Sequence, residues 1–301
     1  MTRTATSTTP PVPLRRRRRT NLAPVLFLLP VAVPLLVFTL YPIAGSLLLS
    51  FQRNLDGVDQ YAGAAQYRRL LGDEVFRTAA LNTAIFFVVQ VPLMLFLALG
   101  VAFLLNSPRF PLRGLFQNVY FLPTVMGLAT AGILFRTLLN EDLGVINYAL
   151  TGMGLKGVPW SSNPWWAKVA ISLLVIWRSL GFNVLIYLTA LQNVPRELYE
   201  AAELDGANPW QTFTRITLPS IRPVLLFTVI MSSLATINLF DEVFVLTGGG
   251  PANGTLTLGV YLYRVAFQNF DYSYGSAVAW VIVLLAALIA AVQYLAGRRN
   301  A

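Results

Sequence analysis

The chain has 301 residues, 56% of them apolar and 12% charged, with a formal net charge of +9. That composition excludes an ordinary soluble domain, and several apolar runs exceed the roughly 20 residues that cross a bilayer. Cysteine and histidine are absent, which excludes disulfides, thiol nucleophiles, haem ligation, the usual zinc sites and histidine general bases.

Residues 1–21 are Thr, Pro and Arg with almost nothing to bury, ending in Arg15–Arg19. They are expected to form a disordered, basic, cytoplasmic tail, and the basic run would also suit anionic lipid. The apolar run that follows is too long for a signal-peptide core and lacks a convincing cleavage site, so it is expected to remain as an anchor. Six spans are predicted, at 23–51, 76–105, 115–138, 167–191, 222–246 and 275–296. The first span and the loop after it make one unit, 22–75. Spans two to six make a core, 76–297, and 298–301 a cytoplasmic end. Between the spans lie an external loop at 52–74, an arginine-bearing turn at 106–114, an external excursion at 139–165, a polar stretch at 193–221 and an external loop at 247–274.

Thirteen of the 22 basic residues fall in segments this topology places inside or, for Arg222, at the inner edge of a span: Arg3, Arg15–Arg19, Arg109, Arg113, Arg196, Arg215, Arg222, Arg298 and Arg299. The positive charge therefore reads as an orientation signal rather than as a nucleic-acid surface. Both termini are expected in the cytoplasm.

The stretch 193–221 carries a fixed order of signals. Val194-Pro195 precedes a run of helix formers, Glu197–Leu204. Gly206 permits a sharp turn, and Asn208-Pro209 opens a second short helix. Trp210, Phe213 and Ile216 recur at helical spacing and are expected to bury one face. On spacing alone, a rigid knob and an ordinary amphipathic loop fit equally well.

Glu200-Ala201-Ala202, three residues, Gly206, nine residues, then Ile216-x-Leu218-Pro219 resembles the EAA loop of the integral-membrane subunits of ABC importers. With Leu191-Gln192-x-Val194-Pro195 before it and Asp205-Gly206-Ala207 inside it, the text is similar to the carbohydrate-uptake branch related to the maltose permeases. Leu28-Leu29-Pro30, Tyr120-x-Leu122-Pro123 and Thr247-x-Gly249-Gly250-Pro251 extend the resemblance over most of the chain. It implies an all-α membrane protein with six transmembrane helices and the type I ABC importer permease fold, in the cytoplasmic membrane of a bacterium or archaeon. The implied function is translocation of a sugar or small oligosaccharide by alternating access, not catalysis.

The implied partners are a second, related permease subunit, two ATP-binding subunits, an extracytoplasmic solute-binding protein, membrane lipid and the sugar, with no nucleic acid. In the coupling loop, Glu200 would pair with a basic group on the ATPase. Ala201 and Ala202 would allow close approach, Gly206 would fold the two short helices together, and Asp205, Ile216, Leu218 and Pro219 complete the pattern. Neither of the two lysines, Lys156 and Lys168, follows a glycine, so no phosphate-binding loop of the Gly-Lys-Ser/Thr kind exists. This chain is expected to bind no cofactor or metal, with ATP and Mg held by the partner ATPase.

Polar residues inside spans are the remaining signal. Arg178 falls near the middle of span four, where an unpaired charge costs at least ~2.5 kcal/mol. Arg178, Ser179, Asn183 and Asn238 are expected to face the translocation path, with Trp177 and Phe182 as stacking surfaces for a sugar. The alternative is a structural pair of Arg178 with Asp241. Thr247, Gly249, Gly250 and Pro251 either contact the binding protein and outer gate or form a flexible hairpin. A competing function is an ion-gradient-driven secondary transporter. It is disfavoured because spans one to three and four to six show no inverted repeat and Asp241 and Glu242 are placed towards the outside. Sugar, polyol and glycerol phosphate all remain open as substrates.

Overall fold

The computed structural model describes residues 23–55, 58–107 and 113–299. The expected disorder of the tail and the arginine turn around Arg109 lie outside these residues. The chain divides into two compact units, Met1–Ser46 and Leu47–Ala301.

The first unit carries most of helix α1, which runs Ala23–Leu35, through a π turn at Leu36–Leu40, into Tyr41–Ser50. The π turn lies between Pro34 and Pro42, where missing N–H groups loosen the regular ladder. Leu26, Phe27, Val31 and Phe38 are all exposed, as an apolar helix suited to lipid presents them.

The second unit opens with a small departure from the all-helical expectation. β1 (Gln52–Leu55) and β2 (Val58–Tyr61) form an antiparallel hairpin. Helix α2 (Ala65–Leu71) is tied back to the start of that hairpin, Gln66 Nε2 donating to the Gln52 carbonyl at 3.0 Å. Helix α3 covers Glu74–Ile85, a π turn at Phe86–Gln90 and Val91–Asn106. Asp73 caps it: Oδ1 accepts from the N–H groups of Val75 and Phe76 at 2.8 and 3.0 Å. Its Oδ2 accepts from Tyr261 and Tyr274 hydroxyls at 2.6 and 2.8 Å. Burial pushes this carboxyl up, but the Tyr261, Tyr274 and backbone hydrogen bonds outweigh it and hold the pKa below its ordinary value.

The third predicted span is two helices, α4 (Arg113–Val125) and α5 (Leu128–Leu138), meeting at 102°. Pro123 weakens the last turn of α4, and Gly127 is extended at φ −60°, ψ 140° before α5 restarts. Helix α6 (Val145–Gly152) lies within the excursion. Asn147 holds that excursion together, donating to the carbonyls of Glu141 and Val158 and accepting from the Trp160 indole, all at 3.0 Å.

Helix α7 (Pro164–Gln192) is unbroken over 29 residues. Asn163 caps its start. α4 crosses it at Gly181, where a Cβ would stand 1.8 Å from the Tyr120 carbonyl oxygen. Only glycine admits that approach.

Next come α8 (Arg196–Leu204), α9 (Pro209–Thr212, a π turn at Phe213–Thr217, then Leu218–Ser220) and α10 (Arg222–Ile237). The predicted fifth span is also broken. α10 stops at Ile237, and α11 (Asp241–Leu246) starts again after three residues. The carbonyl freed at Leu239 accepts from Thr257 Oγ1 at 2.6 Å, which is how a break at membrane depth is tolerated. Helix α12 (Leu258–Tyr263 and a π turn at Arg264–Gln268) and α13 (Tyr272–Arg299) complete the chain.

By length and apolarity, four helices among the described residues can cross a membrane, or six if the bent pairs α4–α5 and α9–α10 each count as one span. Two apolar cores hold the second unit. One joins the start of α3 to α7, α12 and α13 through Phe86, Ile171, Val260 and Val278. The other joins the end of α3 to α7 and α10 through Met94, Leu105, Leu188 and Ile221. The cavity described next lies between these two.

Candidate functional site

Two places gather polar groups. The first is a cavity of about 340 Å³ between α3, α7, α10 and α11. From the middle of α7, Arg178, Ser179, Phe182 and Asn183 line it, at the i, i+1, i+4 and i+5 spacing of one helical face. Thr124 Oγ1 donates to the Arg178 carbonyl at 3.0 Å, which pins α4 to this turn. Asn238, at the break after α10, also lines the cavity and donates to the Leu234 carbonyl at 2.9 Å.

Five of the six expected path residues are thus brought together. Trp177 is not: its ring packs against Phe135 at 5.3 Å and does not line the cavity. The lining positions run over the arc from Arg178 through Phe182 and Ser179 to Asn183, and Trp177 lies about 100° beyond the Arg178 edge of that arc.

The alternative reading, an Arg178–Asp241 pair, is also corrected. Arg178 Nη2 meets Glu242 Oε1 at 3.5 Å, not Asp241. Glu242 is buried and Asp241 exposed, and both line the cavity. The restart of the helix at Asp241 decides which acid turns inward. The sequence reading therefore paired Arg178 with the wrong one of two adjacent acids.

Sequence reading missed Gln90. It closes the π turn of α3, is 1% exposed, lines the cavity, and neither its Oε1 nor its Nε2 has a hydrogen-bond partner. A lone amide in the run Phe86–Leu97 was the available signal. Thr228, Ser232 and Thr236 add a hydroxyl row from α10. Thr228 is committed to Tyr187, oxygen to oxygen 2.6 Å.

The second place is the knob formed by α8 and α9. The end of α8 is a Schellman turn: the N–H of Ala207 bonds the Ala202 carbonyl at 2.9 Å and that of Gly206 bonds Glu203 at 3.1 Å. Gly206 sits at φ +73°. α9 opens on a reciprocal cap, Asn208 Oδ1 accepting from Gln211 N–H and Gln211 Oε1 accepting from Asn208 N–H, both at 2.9 Å. Tyr199 and Thr217 hydroxyls, 3.1 Å apart, bridge the two helices.

Ala202 is buried in the joint, whereas Glu200, Ala201 and Asp205 are exposed and Glu200 has no side-chain partner among the described residues. Ile216 and Leu218 are half-buried and Pro219 is exposed. Trp210 departs from the expected buried face: it is 71% exposed and leans on Phe213, which meets Phe103 of α3 at 5.6 Å.

The loop after α11 is cross-bonded rather than free. Thr247 and Thr255 hydroxyl oxygens lie 2.7 Å apart, and Thr255 donates to the Gly250 carbonyl. Arg264 donates to the Gly248 carbonyl at 2.6 Å and to Asn253 Oδ1 at 2.8 Å. A Cβ on Gly249 would meet that guanidinium at 2.8 Å. Pro251 and Gly250 border a second cavity of about 580 Å³ shared with Trp160 and Arg136.

Nearby, Glu141 Oε1 accepts from the N–H groups of Ser161 and Ser162 at 2.6 and 2.7 Å and from the Ser161 hydroxyl at 2.7 Å. Burial opposes its ionisation, but these bonds prevail and bring its pKa down to about 2.

Residues 109–300 match the family model described as binding-protein-dependent transport system inner membrane component. The lactose transport system permease protein LacF of Rhizobium radiobacter is 44% identical over 280 residues, 91% of this chain and 94% of that one. The arabinooligosaccharides transport system permease protein AraP of Halalkalibacterium halodurans is 36% identical, covering 92% and 88%. Among solved structures, a bacterial alginate ABC transporter in complex with an alginate pentasaccharide-bound periplasmic protein contains a chain with TM-score 0.82 and 25% identity, covering 92% of this chain and 94% of that one. Another structure of TM-score 0.81 and 25% identity is described as importing the acidic polysaccharide alginate.

Proposed function

The chain belongs to the family of binding-protein-dependent transport system inner membrane components, and on that premise we propose that it is the permease subunit of an ATP-driven sugar importer. Its relatives named for lactose and arabinooligosaccharide transport make a neutral oligosaccharide the first substrate class to test. The solute would cross by alternating access, through a path formed partly by the cavity around Arg178, Ser179, Phe182, Asn183 and Asn238. A second, related permease subunit would supply the facing wall.

The observation that carries the coupling half of this reading is the knob. Its helices are capped and joined by their own hydrogen bonds, yet Glu200 and Asp205 are presented to solvent with no internal use. A rigid element that keeps its charges outward is suited to a partner with basic groups. We assign that partner as one of two ATP-hydrolysing subunits on the cytoplasmic side, which places both termini there too. ATP and Mg would stay on those subunits. The cross-bonded Thr247–Pro251 loop would face the extracytoplasmic binding protein.

The test is uptake of labelled lactose and arabinotriose by vesicles carrying the complete importer. The expected result is uptake that needs both internal ATP and the binding protein and survives collapse of the ion gradient. Uptake driven by the gradient without ATP would overturn the reading in favour of a secondary transporter.

A further inference from the structure

The cavity's chemistry speaks to the charge of what it admits. The charged side chains lining it are Arg178, Asp241 and Glu242, one cation and two acids. Arg178 Nη2 lies 3.5 Å from the buried Glu242 carboxylate and its Nε is buried without a partner, so the two acids outweigh the one cation and leave the lining net negative. An anionic solute entering here would meet an acid beside the one guanidinium that lines the cavity among the described residues, and the like charge opposes its binding.

Gln90 supplies the complementary observation. Its amide is buried with both heavy atoms unpartnered, a condition that costs free energy and calls for an explanation. It also closes a π turn, a feature that recurs where a helix serves a site. An amide offers two donors and one acceptor oxygen, the complement of a sugar hydroxyl, which both donates and accepts.

We propose that this cavity selects an uncharged, hydroxyl-bearing solute, with Gln90 as the specificity residue that reads a hydroxyl and the Arg178–Glu242 pair as the element that denies the site to anions. The inference rests on the importer reading and narrows its substrate class. It answers a question the sequence left open, since an arginine alone in span four would serve a phosphate as readily as a sugar. The fold by itself does not decide the matter, because a structural neighbour imports an acidic polysaccharide.

The experiment is direct binding to the purified permease–ATPase complex without the binding protein, so that the binding protein's own preference does not enter. The probes are lactose and arabinotriose as neutral sugars and lactobionate as an anionic one, followed by saturation-transfer NMR. Wild type is expected to bind a neutral probe at least about tenfold more tightly than lactobionate. Gln90→Leu is expected to weaken neutral binding by about tenfold, the scale of one lost hydrogen bond, while raising Tm because an unsatisfied amide is removed. Gln90→Met, unbranched and similar in length, serves if the leucine variant does not assemble. Glu242→Gln, which frees Arg178, is expected to raise lactobionate binding and narrow the gap.

Lactobionate binding wild type as tightly as the neutral sugars would overturn the charge selection. Unchanged neutral affinity in the Gln90 variants would overturn the role of that residue. Binding of none of the three sugars by a complex that hydrolyses ATP would overturn the sugar reading itself, and this inference with it.

Discussion

The knob and the cavity are built on opposite principles. The knob is one continuous stretch, 196–220, whose polar backbone ends are satisfied locally by a Schellman turn, a reciprocal cap and one hydroxyl bridge. What it leaves over is exposed charge. The cavity draws residues from Gln90 to Glu242, depends on two helix breaks, and leaves over buried polarity at Gln90 and at Arg178 Nε. A surface that keeps its charges solvated can wait for a protein partner at little cost. A buried amide without a partner is better understood as waiting for something small.

The contrast can be broken most severely at the crossing of α4 and α7. Gly181→Leu drives a side chain into the Tyr120 backbone, where even a Cβ stands at 1.8 Å. The expected cost is at least ~3 kcal/mol, the upper end for overpacking, read as a large fall in Tm and in yield of folded protein. Glu242→Leu comes next. It strands Arg178 in the cavity, for a loss of ~3 kcal/mol, the lower end for breaking a buried pair, and Arg178→Leu in the same chain should restore much of it. An unchanged Tm in the single variant would show the pair to be idle.

In the knob the effects should be smaller on stability and larger on partnership. Gly206→Ala forces a Cβ into φ +73° at a cost of about 1–2 kcal/mol, so Tm should fall by a few degrees while ATPase coupling falls further. Asn208→Ala removes the cap of α9, for about 1 kcal/mol. Equal losses of stability and coupling in both variants would blur the distinction drawn between the two regions.

The smallest effect concerns acid. The Glu141 pKa is lowered from 4.5 to about 2, so its clasp on Ser161 and Ser162 contributes in full above about pH 4.5. That contribution is lost as pH falls towards 2. Trp160, adjacent to the clasp, should report this in fluorescence, and Glu141→Gln should flatten the profile over that window. A variant profile that matches wild type would remove the clasp from the account.

These differences also explain what was legible in the sequence. The knob's signals are contiguous, so the turn at Gly206 and the helix start at Asn208-Pro209 could be read directly, whereas Glu200-Ala201-Ala202 was marked only by resemblance and Ala202 turns into the joint. Trp210 was misplaced because helical spacing marks a face without saying whether anything covers it. Apolar length marked where spans lie, four to six of them by the same criterion in the structure, but the breaks at Met126–Gly127 and Asn238–Phe240 could not be read. Proline and asparagine are common enough in spans, and what permits a break is a distant group such as Thr257. The same break decided that Glu242, not Asp241, meets Arg178. Gln90 required knowing that no neighbour would satisfy it, which is a property of packing and not of the text.

The central claim is that the knob is where this chain meets the subunit that hydrolyses ATP. The most direct measurement is gentle detergent extraction from the native cells, purification through this chain, and identification of what accompanies it, for wild type and for Gly206→Asp. The account predicts a second permease and a soluble ATPase with wild type, and loss of the ATPase alone in the variant. An ATPase retained undiminished by Gly206→Asp, or a chain that purifies alone and transports on an ion gradient, would contradict it.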